Sequence, residues 1–340
     1  MKPTNRQSLY FSGPGEIEIR QEPIPELLPG QVLVQTILSA ISPGTESLIY
    51  LDHFPKDLAL DESISSLSTS FAYPLKYGYS AVGKVIDLGK GVDPAWLGRL
   101  VFAFNPHESH FTSQVEALQP IPADISPEDA VFLPNMETAV NLVMDGRPII
   151  GEKVLVFGQG IVGLLTSALL SQFPLHNLVT VDRYPLRRNA LQPFGVQTSL
   201  DPSDANFSQL VQSALGGQAD LSYELSGAPQ ALDQAIKVSG YGGRIVIGSW
   251  YGQKRANLNL GGWFHRSRLQ LISSQVSSIA PEYTARWDKS RRFQLAWDKL
   301  AQIHPSRWIT HRFSIHQAAE AYSLITQQPD TCLQVVFTYE

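Results

Sequence analysis

The chain of 340 residues is poor in cysteine, and Cys332 stands alone. One cysteine excludes an intramolecular disulfide. A chain with one thiolate also cannot by itself build a four-cysteine zinc site or hold an iron–sulfur cluster. Cys332 lies in the apolar strand pattern TCLQVVFTY. That setting predicts a small buried side chain rather than a catalytic nucleophile.

Charged residues and long apolar runs are also scarce. Charged residues make up 17% of the chain, against about 25% in average proteins, and the net charge is −5. These values argue against disorder and against nucleic acid as a partner. The longest apolar stretch, Val154–Leu170, is interrupted by Gln159 and glycines, and the N-terminus lacks the apolar core of a signal peptide. We therefore expect a cytoplasmic protein without membrane insertion.

Strand patterns dominate the first third of the chain, and they include Gln31–Leu38 and Ala81–Leu88. Proline and glycine turns separate them, which predicts a small barrel. From residue 124 onward, strands and helices alternate, which predicts a parallel sheet with helices on both faces. We therefore expect an α/β protein. A Rossmann-type domain, residues 124–277, is inserted into a β-rich domain of residues 1–123 and 278–340.

The clearest chemical signal is the segment VLVFGQGIVGLL, in which three glycines follow a predicted strand and open a helix. The first glycine permits a tight turn, the second lets the backbone approach a pyrophosphate, and the third allows close packing of helix on strand. The helix N-terminus adds amide donors and the positive end of its dipole. The predicted cofactor contacts in this segment are Gly158, Gln159, Gly160, Ile161, Val162 and Gly163.

Asp182 ends the next predicted strand, where an acid binds the adenosine ribose hydroxyls. A carboxylate at this position favours NAD, because it repels a 2′-phosphate. Arg183 follows directly as a further cofactor contact, and Arg187 and Arg188 come one turn later. These arginines would either cradle a phosphate or form a solvated helix face. NAD is thus favoured, and NADP stays open.

Further strings complete the pattern: SAISPGTES, KYGYSAVGKVIDLG, ELSGAPQALDQAI and YGGRIVIGSW. Together with the glycine turn, they resemble the medium-chain dehydrogenase/reductase superfamily over nearly the whole chain. The resemblance implies a GroES-like β-barrel catalytic domain and an inserted Rossmann domain with a doubly wound parallel sheet. It also implies a homodimer paired along the strand near Leu269–Val276. The cofactor contacts that it adds are Ser226, Gly248, Ser249 and Trp250.

A narrower resemblance rests on the strings SPGTE, YPLKYGY, WITHRF, AAEAY and CLQVVFTY. These are similar to the branch of bacteriochlorophyllide-type hydroxyethyl dehydrogenases.

The chain departs from the zinc-dependent members of the superfamily where the resemblance places their metal ligands. Ser42 stands for the cysteine, Tyr79 for the histidine, and Pro134 or Asn135 for the third ligand. A hydroxyl, a phenol and an amide are poor zinc ligands beside thiolate, imidazole and carboxylate. The eight histidines show no ligand spacing, so we interpret them as surface or packing residues. We predict no zinc and no metal-ligating residue.

Without a metal, acid–base work at the substrate oxygen would pass to hydroxyl groups. The predicted catalytic residues are Tyr79, Ser42 and Thr45, which matches the proton-relay hydroxyl of the superfamily. A phenol titrates at about pH 10, so Tyr79 would need a nearby cation such as oxidised nicotinamide. Two interpretations of Tyr79 stay open, a proton donor or acceptor and a side chain that fills the gap left by zinc. Glu46 matches an acidic position beside the metal site and would hold the barrel together.

The sequence thus predicts a zinc-independent, NAD(P)-dependent oxidoreductase that acts on a small-molecule substrate. Hydride transfer would interconvert a secondary alcohol and a ketone on a fairly large, partly apolar molecule. One alternative is an NADPH-dependent reductase of quinones or enoyl C=C bonds, where hydride acceptance needs no metal. A second alternative is a non-catalytic nucleotide-binding protein.

Two further groups of residues have open roles. Four aromatic residues lie between Ser42 and Gly78: Phe54, Phe71, Tyr73 and Tyr77. They would pack on a bulky substrate or belong to an ordinary surface loop. A basic run consists of Arg286, Lys289, Arg291 and Arg292. We interpret this run as a solvated helix face.

Overall fold

The computed structural model describes residues 3–56 and 71–339. Contacts divide the chain into two units, one of residues 1–134 and 300–340 and the other of residues 135–299. The second unit is therefore an insertion in the first along the chain. Among the helices in the described ranges, none is both long enough and apolar enough to cross a bilayer.

Antiparallel strands build the N-terminal part of the first unit. Its elements are β1 (Asn5–Gly13), β2 (Glu16–Pro23), β3 (Gln31–Ala40), α1 (Pro43–Tyr50), β4 (Ala81–Leu88), β5 (Leu100–Ala103), β6 (His110–Gln114), β7 (Gln119–Pro120) and α2 (Pro127–Ala130). The strand β3 pairs with β4 along most of its length and with β6 over its first half. The apolar side chains of these strands pack into a core that includes Val32, Val34 and Val85.

Helix α1 lies where the sequence pattern predicts only a proline–glycine turn. Ser42 is the extended N-cap residue of this helix, and Pro43 holds the first helical position. Proline suits that position because its fixed φ is already helical and its missing N–H would have no acceptor there. The short helix brings Ser42 and Glu46 onto one face, four residues apart.

A six-stranded parallel sheet forms the second unit, and the predicted α/β class is confirmed. The strand order is that of a doubly wound dinucleotide-binding sheet, with its reversal between β8 and β11. The strand β8 spans the predicted residues, and its apolar run is buried as in parallel sheets covered on both faces. The elements are α3 (Leu133–Gly146), β8 (Lys153–Phe157), α4 (Ile161–Leu170), β9 (Asn177–Val181), α5 (Pro185–Asn189), β10 (Ser199–Leu200), α6 (Phe207–Leu215), β11 (Ala219–Glu224), α7 (Pro229–Val238), β12 (Ser239–Ile247), β13 (Gln270–Ser273) and α8 (Lys289–Ile303).

The C-terminal residues return to the first unit and complete its sheet. The closing elements are β14 (Ile309–Ser314), α9 (Ala318–Gln327) and β15 (Gln334–Thr338). The strand β15 lies between β14 and β3. Cys332 is a buried thiol, as predicted.

The aromatic residues that follow α1 are part of the core of the first unit. Phe54, Phe71 and Tyr77 are buried there, and Tyr73 packs against the same cluster from a half-buried position. Their possible role in packing on a substrate is therefore wrong for the three buried rings, since these rings already fill the protein interior. Residues 57–70 of this segment lie outside the described ranges.

Candidate functional site

The predicted glycine turn lies between β8 and α4, at the carboxyl end of the first strand of the sheet. Gly158 has a φ of +86°, which glycine adopts without strain. A Cβ on Gly163 would lie 1.9 Å from the Gly158 carbonyl oxygen, so a side chain does not fit there. At Gly160 the space is open, because the nearest atom to a Cβ would be Arg187 Nη1 at 4.0 Å. The first and third glycines therefore shape the turn, and the second leaves room for a ligand.

The N-terminus of α4 faces this opening. Gly160 is its N-cap residue, and the first helical hydrogen bond runs from the Leu164 amide to the Gly160 carbonyl. The amides of Ile161, Val162 and Gly163 thus have no acceptor within the helix. Amide donors and an open Gly160 fit the pyrophosphate of a dinucleotide.

Asp182 follows β9 and is nearly buried, with 7% of its surface exposed. Its carboxylate accepts the Gln159 amide N–H at 2.8 Å and the Tyr184 amide N–H at 2.9 Å. A carboxylate accepts about four hydrogen bonds, so capacity remains for two ribose hydroxyls. The same residue therefore braces the glycine turn and fits the predicted ribose contact.

The side chain of Gln159 is turned into the protein and is fully buried. Its amide nitrogen donates to the carbonyls of Val156 and Gly158, and its oxygen accepts the Ser167 hydroxyl. These bonds use the amide to hold the turn from inside. The side chain of Gln159 therefore supports the turn, and the cofactor contact of this residue stays a prediction.

A buried carboxylate that the sequence reading missed joins the loops after β11 and β12. Glu224 is fully buried and accepts hydrogen bonds from the Ser226 amide and hydroxyl and, at 2.5 Å, from the Tyr251 hydroxyl. Burial, followed by this carboxylate, raises the pKa of the Tyr251 hydroxyl, which keeps it a donor. The Gly227 amide in turn donates to the Ser249 hydroxyl at 2.9 Å. The sequence signal that could have identified Glu224 is an acid at the end of the buried strand pattern DLSYE.

Gly248 and Trp250 differ in their surroundings. A Cβ on Gly248 would lie 2.5 Å from Leu142 Cδ2 and 2.6 Å from Leu225 Cδ2, so close packing requires glycine there. Trp250 is 44% exposed. Both residues follow β12, at the carboxyl edge of the sheet, together with Ser249.

A basic pocket of about 450 Å³ lies between the end of β9 and the N-terminus of α7. Its charged lining residues are Arg183, Lys254 and Arg255. Lys254 also donates to the Gly227 carbonyl at 2.9 Å, and Arg183 lies over the Tyr184 ring. A pocket lined by three cations, one of them the residue that follows Asp182, suits a phosphate on the adenosine ribose.

The first unit brings two of the predicted catalytic residues into contact. The Tyr79 hydroxyl donates to the Ser42 hydroxyl oxygen in a short hydrogen bond. Thr45 lies in the first turn of α1, three residues after Ser42. The Tyr79 ring packs edge-to-face on Tyr77, with 6.2 Å between ring centroids. Packing and the hydrogen bond together fix the direction of the Tyr79 hydroxyl.

Behind this hydroxyl pair lies a buried polar network centred on Glu46. One carboxylate oxygen accepts the Ser42 amide N–H at 2.7 Å. The other accepts the Tyr322 hydroxyl and lies 3.0 Å from His107 Nε2. His107 Nδ1 lies 2.7 Å from the Ser39 hydroxyl, and both Glu46 and His107 are fully buried. His107 is a packing residue, as interpreted, but the sequence carried no signal of its bond to Glu46.

The donor set at the positions that the resemblance assigns to zinc does not fit that metal. Ser42 and Tyr79 offer two hydroxyls that bond to each other, and the Ser80 hydroxyl donates to the Val131 carbonyl. Zinc sites in proteins use thiolate, imidazole and carboxylate ligands. In residues 3–56 and 71–339, no three side chains of these types are grouped as metal ligands.

One member of the basic run is placed differently from the expectation. The interpretation as a solvated face is wrong for Arg292, which is fully buried and lies 2.8 Å from Glu137 Oε1. Arg291, its neighbour, is exposed. A buried arginine is stable only when it is paired with an acid and its N–H groups are hydrogen-bonded. The partners of Arg292 are distant in the sequence, so the local pattern does not predict its burial.

The strand order, the glycine turn and the carboxylate after β9 are those of a dinucleotide-binding domain. Residues 162–292 match the family model described as zinc-binding dehydrogenase. This part of the chain is similar to that family, which agrees with the resemblance to medium-chain, alcohol dehydrogenase-like enzymes stated from the sequence.

Individual relatives agree with this assignment at low identity. The starvation-sensing protein RspB of Escherichia coli K12 is 23% identical over 98% of this chain and 99% of its own length. A D-guloside 3-dehydrogenase of the same strain is 26% identical over 77% of each chain. The crystal structure of an alcohol dehydrogenase, RspB of Escherichia coli CFT073, complexed with NADH, matches with a TM-score of 0.79 at 21% identity, covering 99% of this chain and 100% of that chain. This likeness shows the fold, and the narrower bacteriochlorophyllide-type branch stays a prediction.

Proposed function

We propose that the protein is an NAD(P)-dependent oxidoreductase that interconverts an alcohol and a ketone on a small molecule without zinc. The observation that carries the proposal is the glycine turn, open at Gly160 and braced by Asp182, at the reversal of strand order. The names of the relatives, among them a dehydrogenase of a D-guloside, support alcohol chemistry. A large apolar substrate has less support, because Phe54, Phe71 and Tyr77 fill the core.

The second unit would hold the cofactor through its own backbone and side chains. The α4 amides would bind the pyrophosphate, and Asp182 would accept the ribose hydroxyls. The loops with Ser226, Gly248 and Ser249 would bind the nicotinamide half. A bound nicotinamide supplies a ring carbon that accepts or donates hydride.

The proton would be held by the hydroxyl pair of the first unit. Tyr79 donates to Ser42, whose own amide is fixed by Glu46, so the phenol has a defined orientation. We assign Tyr79 as the group that gives or takes the proton of the substrate oxygen, with Ser42 and Thr45 as the adjoining hydroxyls. The alternative, in which Tyr79 only fills space, predicts that its hydroxyl is dispensable.

NAD is the favoured cofactor because Asp182 is an acid in the ribose position. The basic pocket of Arg183, Lys254 and Arg255 favours the second candidate, an NADPH-dependent reductase of quinones or enoyl groups. The loss of catalysis, leaving a nucleotide-binding protein, is the third. The three differ in cofactor preference and in turnover.

We further propose a cytoplasmic homodimer. The strand β13 is at the edge of the six-stranded sheet, where a second copy would add its own β13. Light scattering on the purified protein would give the mass of the assembly, and a monomer would contradict this part of the proposal.

The test combines binding and turnover on the purified full chain. Calorimetry with NADH and NADPH measures affinity, and a panel of secondary alcohols, ketones, quinones and enoyl compounds is followed at 340 nm. We expect tighter binding of NADH and turnover of a ketone or alcohol. Turnover of quinones or enoyl compounds with NADPH alone would favour the second candidate. Tight binding without any turnover would favour the third.

A further inference from the structure

The guanidinium of Arg292 is fully buried in the second unit, and every one of its N–H groups is used. Nε and Nη2 donate to Glu137 Oε1 at 3.1 and 2.8 Å. Nη1 donates to Asn141 Oδ1 at 2.6 Å and to the Ser278 carbonyl at 3.1 Å. Nη2 donates its second hydrogen to the Val276 carbonyl at 2.5 Å. Five N–H groups thus make five hydrogen bonds to four oxygen atoms, which a lysine with three hydrogens and no fork cannot reproduce.

These bonds join two parts of the second unit. Glu137 and Asn141 lie one turn apart on α3, whereas Val276 and Ser278 belong to the segment that follows β13. We call residues 274–278 the β13 loop. Ser274, its first residue, donates to Asp145 Oδ2 at 2.6 Å on the same helix. Arg292 therefore holds the β13 loop next to α3 through hydrogen bonds to two backbone carbonyls of the loop.

The β13 loop starts at the carboxyl edge of the parallel sheet. The Ser274 amide donates to the Ile247 carbonyl at 3.0 Å, which ties the loop to the end of β12. In a doubly wound sheet a dinucleotide lies across the carboxyl ends of the strands, with one half on each side of the reversal. Asp182 marks the adenosine half beside β9, so the nicotinamide half lies on the side of β11, β12 and β13.

We propose that Arg292 is a positioning residue for the nicotinamide half of the cofactor. It acts through the β13 loop, whose backbone it holds at the carboxyl edge of β13, and it does not itself touch the cofactor. The proposal rests on the function proposed above. Loss of Arg292 should affect binding of the nicotinamide half and leave the adenosine half unchanged. The adenosine half depends on Asp182 and the glycine turn, and neither bonds to Arg292 or the β13 loop in the contacts described.

The test compares NADH with ADP-ribose, which lacks the nicotinamide ring. In Arg292→Lys we expect the affinity for NADH to fall by about tenfold and the affinity for ADP-ribose to stay within about twofold of the parent, both by calorimetry. We also expect the fluorescence of bound NADH to move toward that of free NADH, because the ring is held less firmly. The control is Arg291→Lys, an exposed neighbour on α8, in which neither affinity changes.

A second variant keeps the test decisive if Arg292→Lys folds poorly. In Arg292→Met combined with Glu137→Met, the ion pair is replaced by apolar groups of similar size, so no unpaired charge is left buried. The loop carbonyls still lose their donors, and we expect the same selective loss of NADH affinity.

Two results would overturn the proposal. One is an equal loss of NADH and ADP-ribose affinity in a folded variant, which would mean a general structural role. The other is unchanged affinity for both. A parent protein that binds neither nucleotide would give a different result, since it would contradict the proposed function itself and the positioning role with it.

Discussion

The two units of the protein differ in how well their residues fit the sites that the resemblance assigns to them. In the second unit, the glycine turn, the helix N-terminus and Asp182 fit a dinucleotide. In the first, hydroxyls of Ser42 and Tyr79 stand where zinc-dependent relatives are expected to carry ligands, and they bond to each other. In the proposed function, cofactor binding and activation of the substrate oxygen would change independently, because each is assigned to its own unit.

The buried glutamates Glu46 and Glu137 have different kinds of partner in the two units. Glu46 in the first unit is neutralised by no arginine or lysine in the contacts described, and it binds an amide, a phenol and an imidazole. Glu137 in the second is paired with Arg292. Burial raises the pKa of the Glu137 carboxyl, and the charge of Arg292 opposes that rise. The network around Glu46 orients hydroxyl groups, whereas the pair of Glu137 and Arg292 holds the backbone of the β13 loop.

The largest expected effect is a loss of cofactor binding by the second unit. In Gly163→Ala the new Cβ would meet the Gly158 carbonyl oxygen, so the turn must open. We expect NADH affinity to fall by at least about 100-fold, measured by calorimetry. The matched control is Gly261→Ala, where a Cβ meets no atom within 4 Å. Normal NADH binding by Gly163→Ala would show that the glycine turn is not the cofactor site.

The next effect sharpens the role of the first unit. Tyr79→Phe removes only the hydroxyl, and we expect kcat to fall by about 100-fold while NADH affinity is unchanged. Steady-state kinetics on the best substrate of the panel measures this split. Tyr50→Phe, in the same unit, serves as the control. Full turnover by Tyr79→Phe would support the interpretation of Tyr79 as a space-filling residue.

A smaller effect concerns the choice between the two cofactors. Replacing Lys254 and Arg255 together by methionine removes two cations from the basic pocket. We expect kcat/KM with NADPH to fall by about tenfold and that with NADH to change by less than about twofold, because only NADPH carries the extra phosphate. Arg266→Met, at an exposed site, is the control. Equal losses of kcat/KM with both cofactors would show that the pocket does not distinguish NADPH from NADH.

The smallest effect concerns the acid stability of the first unit. Burial alone would raise the pKa of Glu22, but hydrogen bonds from Lys76, Tyr10 and Ser8 outweigh it and lower the pKa to about 2. A depressed pKa adds stability above the unfolded value of about 4.3 and loses it as the pH falls toward 2.

Glu22→Gln measures that contribution. Its deficit in free energy of unfolding should be about 1–2 kcal/mol at neutral pH, after allowance for partial exposure, and should vanish near pH 2. Denaturant unfolding at several pH values gives the difference, with the exposed Glu26→Gln as control. A deficit that does not depend on pH would contradict the ionic origin.

Much of the fold follows from local patterns. The apolar run of β8 and the three glycines predict the strand, the turn and the helix after it, because each is a property of neighbouring residues. Arg292 and His107 could not be placed in this way. Their partners, Glu137 and Glu46, are distant in sequence, and only the folded chain brings them together. Helix α1 was missed because Pro43-Gly44 reads as a turn until Pro43 is recognised as the first helical residue.

The most direct test of the account is the metal content of active enzyme. Protein purified without added metal and dialysed against a chelator should contain far less than one zinc per chain and should keep its full rate of hydride transfer. Stoichiometric zinc, with activity that is lost on chelation and restored by zinc, would contradict the proposal that the Tyr79–Ser42 pair works without metal.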